Sequence, residues 1–210
     1  MRLSILILTV PGRLQTGFPQ MVGELMDQTV DQSGVEILGL LDNQTLTVGS
    51  KRNKLLDIAT GDYITFIDDD DRVTSDYISE IMKALAYYPG VDVINYDLML
   101  QHGGLNKEIL CTYDKDVVSS GYVSTDVYIG PGSHTNVWRR DLVKDIRFKD
   151  VNFGEDMDWA ERAAQKAKTQ HKIERVLYHY NFSPLESETR DEWREIENKL
   201  RKLVLNEISP

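Results

Sequence analysis

Asp68-Asp69-Asp70-Asp71 is the stretch best equipped for chemistry, because four consecutive carboxylates repel one another unless protons or a cation neutralise them. Hard oxygen donors favour Mg²⁺, Mn²⁺ or Ca²⁺ over Zn²⁺ or copper, which prefer imidazole and thiolate. An acidic run is ordinarily a solvated turn. Here, however, it follows Tyr63-Ile64-Thr65-Phe66-Ile67, an apolar run of strand length. The carboxylates then stand at the carboxyl end of a buried strand, where open α/β sheets bind their ligands. A second acidic pair, Glu155-Asp156, follows Phe153-Gly154 at the expected start of a helix. It either steadies the positive end of the helix dipole or does chemistry of its own.

The elements that must hold these groups can be read from periodicity. Leu3 to Val10 is a nearly continuous apolar strand, and Phe18, Met21, Val22, Leu25 and Met26 recur at helical spacing around Pro19. Gly34 resets the chain before a second strand, Val35 to Leu41, which ends at Asp42. A polar loop then leads to a short helix carrying Leu55, Leu56 and Ile58, stopped by Gly61. The third strand, Tyr63 to Ile67, delivers the aspartates. Beyond them Thr74 or Ser75 can cap a helix with Ile78, Ile81, Met82 and Leu85 on one face, ended by Pro89-Gly90. The order βαβαβα predicts a Rossmann-like, mainly parallel sheet flanked by helices.

The second half reads differently. Val91 to Leu100 and Lys107 to Tyr113 predict two strands joined through Gln101-His102-Gly103-Gly104, which makes the sheet mixed. Asp114 to Ser133 is polar and rich in Gly, Ser and Tyr, the composition of a binding loop. A short helix near Asp141 to Asp145, a helix carrying Trp159, Ala160, Ala163, Ala164 and Ala167, and a last strand including Ile173 to Tyr180 follow. Trp193, Ile196, Leu200, Leu203 and Val204 then mark one face of a charged C-terminal helix that must pack on the body or on a second copy.

Composition narrows the function. With 210 residues, 41% of them hydrophobic, the chain can bury one full core. No apolar run approaches the ~20 residues needed to cross a bilayer, and Leu3 to Val10 lacks a cleavage pattern, so it reads as a strand and not as a signal peptide. The one cysteine, Cys111, excludes an intramolecular disulfide and a Cys-based zinc site and suits a reducing, cytoplasmic setting. A net charge of −10 disfavours nonspecific attraction to nucleic acid or anionic membrane.

Arg52-Asn53, Ala59-Thr60-Gly61-Asp62-Tyr63 and Phe66-Ile67-Asp68-Asp69-Asp70-Asp71, in this order and at this spacing, resemble the nucleotide-sugar-binding half of glycosyltransferase family 2. The fold of that family is called GT-A. The resemblance extends through Thr9, Asp42 and Glu155-Asp156. It implies a catalytic domain over 1–182, with a nucleotide-sugar-binding half at 1–90 and an acceptor half at 91–182, followed by a helical extension at 183–210.

It also implies roles. Thr9, Asp42 and Arg52 are expected around the base and diphosphate of the donor, a nucleoside-diphosphate sugar and by expectation a UDP-sugar. Asp42 can accept from a uracil N–H, and Arg52 brings a charged fork to an anion. The family often has two acidic residues and a glycine after the second strand, whereas this chain has Asp42-Asn43-Gln44. Asp68 and Asp70 fill the acidic places of a D-x-D motif, with Asp70 the direct ligand of Mn²⁺ or Mg²⁺ and Asp68 or Asp69 nearer the ribose or a metal-bound water. His179 is a candidate third ligand, and His102, His134 and His171 offer less. By motif position Asp156 is the base of an inverting transfer and Glu155 orients it, with Asp158 a weaker competitor.

The acceptor that the resemblance implies is a glycan or other hydroxyl compound. A hydroxylated base in DNA is the alternative, suggested by Arg139, Arg140, Lys144, Arg147 and Lys149. Two rivals come from other classes. A nucleotidyltransferase needs a glycine-rich phosphate loop with a lysine, to which Pro11-Gly12-Arg13-Leu14 is a poor match. A noncatalytic Ca²⁺ protein needs a spaced loop that the aspartates do not form.

Overall fold

The computed structural model describes residues 1–102 and 107–182. The C-terminal helix expected over 183–210, and with it a self-association surface, lies outside the described residues, as does the turn after His102. Strands β1 (Leu3–Thr9), β2 (Val35–Leu41) and β3 (Tyr63–Asp68) alternate with helices α1 (Gly17–Thr29) and α2 (Val48–Ile58). A two-residue strand, β4 (Arg72–Val73), precedes helix α3 (Tyr77–Tyr87). Then come β5 (Val93–His102), β6 (Lys107–Tyr113), β7 (Gly121–Ser124), β8 (Val127–Gly130) and β9 (Val137–Arg139). Helices α4 (Arg140–Val143) and α5 (Glu155–Lys166) lead to β10 (Gln170–Phe182).

All ten strands belong to one sheet, with β2-β1-β3-β9-β5-β6-β8-β7 as its main path. β1 lies between β2 and β3, parallel to both, and every residue from Leu3 to Thr9 is buried, as a central strand with covered faces requires. β9 joins β3 to β5 with antiparallel pairing, and β10 runs parallel to β5 from Gln170 opposite Val93 to Phe182 opposite His102. The fold is thus the mixed, mainly parallel α/β arrangement that the sequence predicts.

One apolar cluster packs α1 and α3 on the sheet through Met21, Leu25, Ile78, Ile81 and Leu85. A second gathers Leu6, Leu55, Leu56, Phe66, Trp138, Phe148 and Trp159 under α2 and α5. Trp159 stacks on Phe148 at 4.7 Å and meets Trp138 edge-on at 5.7 Å, so the start of α5 is anchored by rings. The segment 114–133, expected as one loop, instead contains β7 and β8, which extend the sheet beyond β6. Helix α3 begins after Asp76, and Thr74 serves its start through the backbone, its carbonyl accepting from the Tyr77 amide. No helix among the described residues is long and apolar enough to cross a membrane.

Candidate active site

A cleft of about 230 Å³ opens at the carboxyl ends of β1 and β3. Thr9, Arg13, Lys51, Arg52, Asp68, Asp69, Asp70, Glu155, Asp156 and Tyr180 bring the polar groups to its lining. The two acidic clusters, 84 or more positions apart in sequence, therefore face one cavity. Helix α1 approaches the aspartates closely: a Cβ on Gly17 would stand 2.3 Å from the Asp69 carbonyl oxygen, so only glycine fits there.

The four aspartates have different partners. Asp68 divides its oxygens between two elements, Oδ1 accepting from Arg52 Nη2 at 3.0 Å and Oδ2 facing His134 Nε2 at 3.3 Å. Burial would raise its pKa, but Arg52 and His134 outweigh burial and hold it below the usual carboxylate range. Arg13 bridges the next two, with Nη1 2.6 Å from Asp69 Oδ1 and Nη2 2.8 Å from Asp70 Oδ2. Even so, burial and the charges of Asp68 and Asp69 push the Asp70 carboxyl up to about 6. Asp71 turns away to β10, accepting from the Tyr178 hydroxyl at 2.6 Å and the Asn181 amide at 2.9 Å. It is the structural member of the run, and burial beside Asp68 and Asp70 raises its pKa well above normal.

Arg52 is the centre of the wall opposite the aspartates. It is 4% exposed, with Nε 3.3 Å from Glu155 Oε1 and its guanidinium carbon 5.2 Å from the centre of the Phe66 ring. Burial opposes its charge, but Asp68, Glu155 and Asp156 raise its pKa and keep it protonated. Asn53, the other half of the Arg-Asn pair, has a different task. Its amide nitrogen donates to the Phe148 carbonyl and its oxygen accepts from the Phe148 amide, both at 2.9 Å. Further along, Val48 and Gly49 donate their amides to Asn152 Oδ1 and the Val151 carbonyl. Helix α2 is thereby sewn to the loop that ends at Gly154, whose φ of 75° turns the chain into α5.

Glu155 is 3% exposed, and burial raises its pKa against the pull of Arg52. Asp156 reaches the cleft with its side chain 35% exposed, and its Oδ2 stands 3.4 Å from His134 Nδ1. Asp158 is held by Lys149 at 2.5 Å and Arg162 at 2.6 Å and is not in the lining. Three buried polar atoms on lining residues, Thr9 Oγ1, Arg52 Nη1 and Asp69 Oδ2, have no hydrogen-bond partner among the described residues. Buried groups of this kind are costly and concentrate where a ligand completes them.

Two expected residues stand next to the lining and not in it, Asp42 with its amide donating to the Thr9 carbonyl at 3.3 Å and His179 one position before Tyr180. Asp42 closes its own turn, accepting from Thr45 Oγ1 at 2.7 Å and the Leu46 amide at 3.1 Å, and does not line the cleft. His179 lies in β10 opposite Arg72 and is also outside the lining. The imidazole that meets the site is His134, while Arg13 and Lys51 add cations that no sequence motif marks. The basic residues noted for DNA are paired internally: Arg139 with Asp92, Lys144 with Asp141, Arg147 with Asp57 and Lys149 with Asp158. Arg140 donates to the Gly61 carbonyl, and none of the five lines the cleft.

A carboxylate-bearing cleft at the carboxyl edge of a parallel sheet defines a GT-A-type α/β protein with a polar ligand site. The model of glycosyl transferase family 2 matches residues 20–116, the stretch that carries α1 to β6 and the four aspartates. It is 26% identical over 150 residues to EpsH of Bacillus subtilis (strain 168), a glycosyltransferase by name, covering 67% of this chain and 43% of EpsH. Its fold matches S. aureus TarS 1–349 in complex with UDP-GlcNAc with a TM-score of 0.62 at 16% identity, covering 91% of this chain and 61% of that one. TarS 1–349 in complex with UDP gives a TM-score of 0.58 at 16% identity, with 88% and 61% covered. The chain thus spans less than half of EpsH and about three fifths of TarS 1–349.

Proposed function

We propose that the chain is a metal-dependent, inverting glycosyltransferase that moves a sugar from a nucleoside-diphosphate donor, a UDP-sugar, to a hydroxyl of a glycan or other small acceptor. The observation that carries this reading is the meeting of the β3 aspartates and the Glu155-Asp156 pair across one cleft floored by buried, unpartnered polar atoms. The family match over residues 20–116 and the UDP-GlcNAc named in the TarS complex support it. The single cysteine, a buried free thiol, suits a cytoplasmic enzyme.

In this reading Asp156 accepts the proton of the acceptor hydroxyl while that oxygen bonds to the anomeric carbon. The bond from the anomeric carbon to the diphosphate breaks on the opposite face, and the nucleoside diphosphate leaves with the bonding pair. Arg13 and Lys51 meet the charge that develops on the leaving diphosphate. Thr9 Oγ1 and Arg52 Nη1 have hydrogen-bonding capacity to give the donor. Glu155, tied to Arg52, fixes the first turn of α5 and hence the height of Asp156 in the cleft.

The residues present fit a divalent cation. Asp70, whose pKa is raised by burial and then by Asp68 and Asp69, would be the first ligand, and Asp69, with Oδ2 unpartnered, the second. No group of three or more His, Cys, Asp or Glu side chains among the described residues is gathered to hold a metal. One or two carboxylates would be enough to hold Mg²⁺ or Mn²⁺, since such ions take few of their ligands from the protein. Such a cation would supply Lewis-acid stabilisation to the departing diphosphate.

The test is release of UDP from UDP-sugars in the presence of Mn²⁺, first with UDP-GlcNAc and water or added glycans as acceptor. Asp156→Asn should lower the rate by ~10²–10⁴-fold, the usual worth of a general base, while UDP binding stays nearly intact. Turnover that survives the substitution would move the base to another residue.

A further inference from the structure

We propose that His134 is a positioning residue for Asp156, tying the base to the donor-side carboxylate Asp68. The proposal rests on the glycosyl-transfer reading of the cleft and adds a residue to it. His134 is 8% exposed and presents one ring nitrogen to each side, Nε2 to Asp68 Oδ2 at 3.3 Å and Nδ1 to Asp156 Oδ2 at 3.4 Å. Arg52 spans the same two elements one residue over, from Asp68 Oδ1 to Glu155 Oε1. The carboxyl end of β3 is therefore joined to the first turn of α5 by two straps, Arg52 to Glu155 and His134 to Asp156. The ring stands between two anions that would otherwise repel, hydrogen-bonded to Asp68 through Nε2 and within ion-pair range of Asp156 through Nδ1.

The loop holding the ring is fixed from all sides. The Ser133 amide donates to Asn136 Oδ1 at 2.7 Å, the Ser133 carbonyl accepts from Trp138 Nε1 at 2.9 Å, and the Thr135 carbonyl accepts from Thr65 Oγ1 at 2.7 Å. The His134 carbonyl accepts from the Phe66 amide, two residues before Asp68. An imidazole needed only to fill space would not require this cage or stand between two cleft carboxylates.

Three substitutions separate positioning from packing. Asparagine keeps a donor near the place of Nδ1, facing Asp156, and glutamine keeps one near the place of Nε2, facing Asp68. With a UDP-sugar that the unaltered chain turns over, His134→Ala should lower kcat by ~10–10²-fold, the scale of a misplaced catalytic group, with little change in the donor KM. His134→Asn should recover part of that loss and His134→Gln should not. Equal rates for all three, or a rise in KM alone, would overturn the proposal.

A second readout needs no substrate. In a thermal-unfolding cycle of His134→Ala, Asp156→Asn and the double variant, the Tm shifts should be non-additive by a few degrees, as for residues in contact, and additive shifts would overturn the contact. The cycle decides that point even if the chain binds no sugar nucleotide, an outcome that instead overturns the functional reading of the cleft.

Discussion

Arg52 lies 4% exposed between Asp68 and Glu155, and its removal leaves two inward-facing carboxylates without their counterion. Breaking a buried pair from one side costs ~3–5 kcal/mol, more than the pair contributes net, because the remaining charge is uncompensated. Arg52→Met should therefore lower stability by about that amount in denaturant unfolding at neutral pH, and adding Glu155→Gln should restore part of it. A loss below ~1 kcal/mol would assign Arg52 the value of a surface ion pair. The same scale separates the aspartates. Asp71 serves β10, Asp68 serves Arg52 and His134, and Asp69 and Asp70 are left with Arg13, whose two pairings are the ones a diphosphate and its cation would rearrange.

Asp92 shows how the elements are fastened beneath the site. It is 5% exposed at the head of β5, accepting from Arg139 Nη2 of β9 at 2.6 Å and from the amides of Lys168 and Thr169, just before β10, at 2.8 and 3.0 Å. Burial alone would raise its pKa, but these donors outweigh it and lower it. A depressed carboxyl pKa stabilises the fold above the unfolded value of about 3.9 and loses that contribution as pH falls through the folded value. Asp92→Asn should thus cost ~1.5–3 kcal/mol at pH 7, the worth of a charged hydrogen bond. That cost should shrink below about pH 4, and a constant cost across this range would contradict the assignment.

Which elements the sequence reveals follows from their length and burial. The βαβαβα order to residue 90 is legible because apolar runs of five to eight residues and amphipathic helices repeat their period several times. β7, β8 and β9 are four, four and three residues long, and Tyr122, Val123 and Ser124 of β7 are exposed, so no period-two pattern could form in 114–133. The site divides the same way. Asp68 to Asp70 and Glu155-Asp156 are legible because each sits at the end of a periodic element. His134 is not, since it lies in an aperiodic Gly-Pro-Gly-Ser loop and its partners are 66 residues before it and 22 after. Asp42 has the residue type and position expected of a donor contact, but the orientation that commits it to Thr45 is set by a turn that local pattern does not encode.

Across the molecule a net charge of −10 coexists with a cleft that holds Arg13, Lys51 and Arg52 against five carboxylates. A trianionic diphosphate would be repelled by such a site unless a cation joined it. Outside the cleft, Arg139, Lys144, Arg147 and Lys149 are each paired with an acidic neighbour. In the proposed reading the cleft binds a nucleoside diphosphate together with a divalent cation. Isothermal titration of the full chain with UDP, with and without Mn²⁺, tests it most directly. One UDP should bind saturably, at least ~10-fold more tightly when Mn²⁺ is present, about 1.4 kcal/mol, and Asp70→Asn should lose this gain. UDP binding that is absent, or that is indifferent to Mn²⁺, would contradict it.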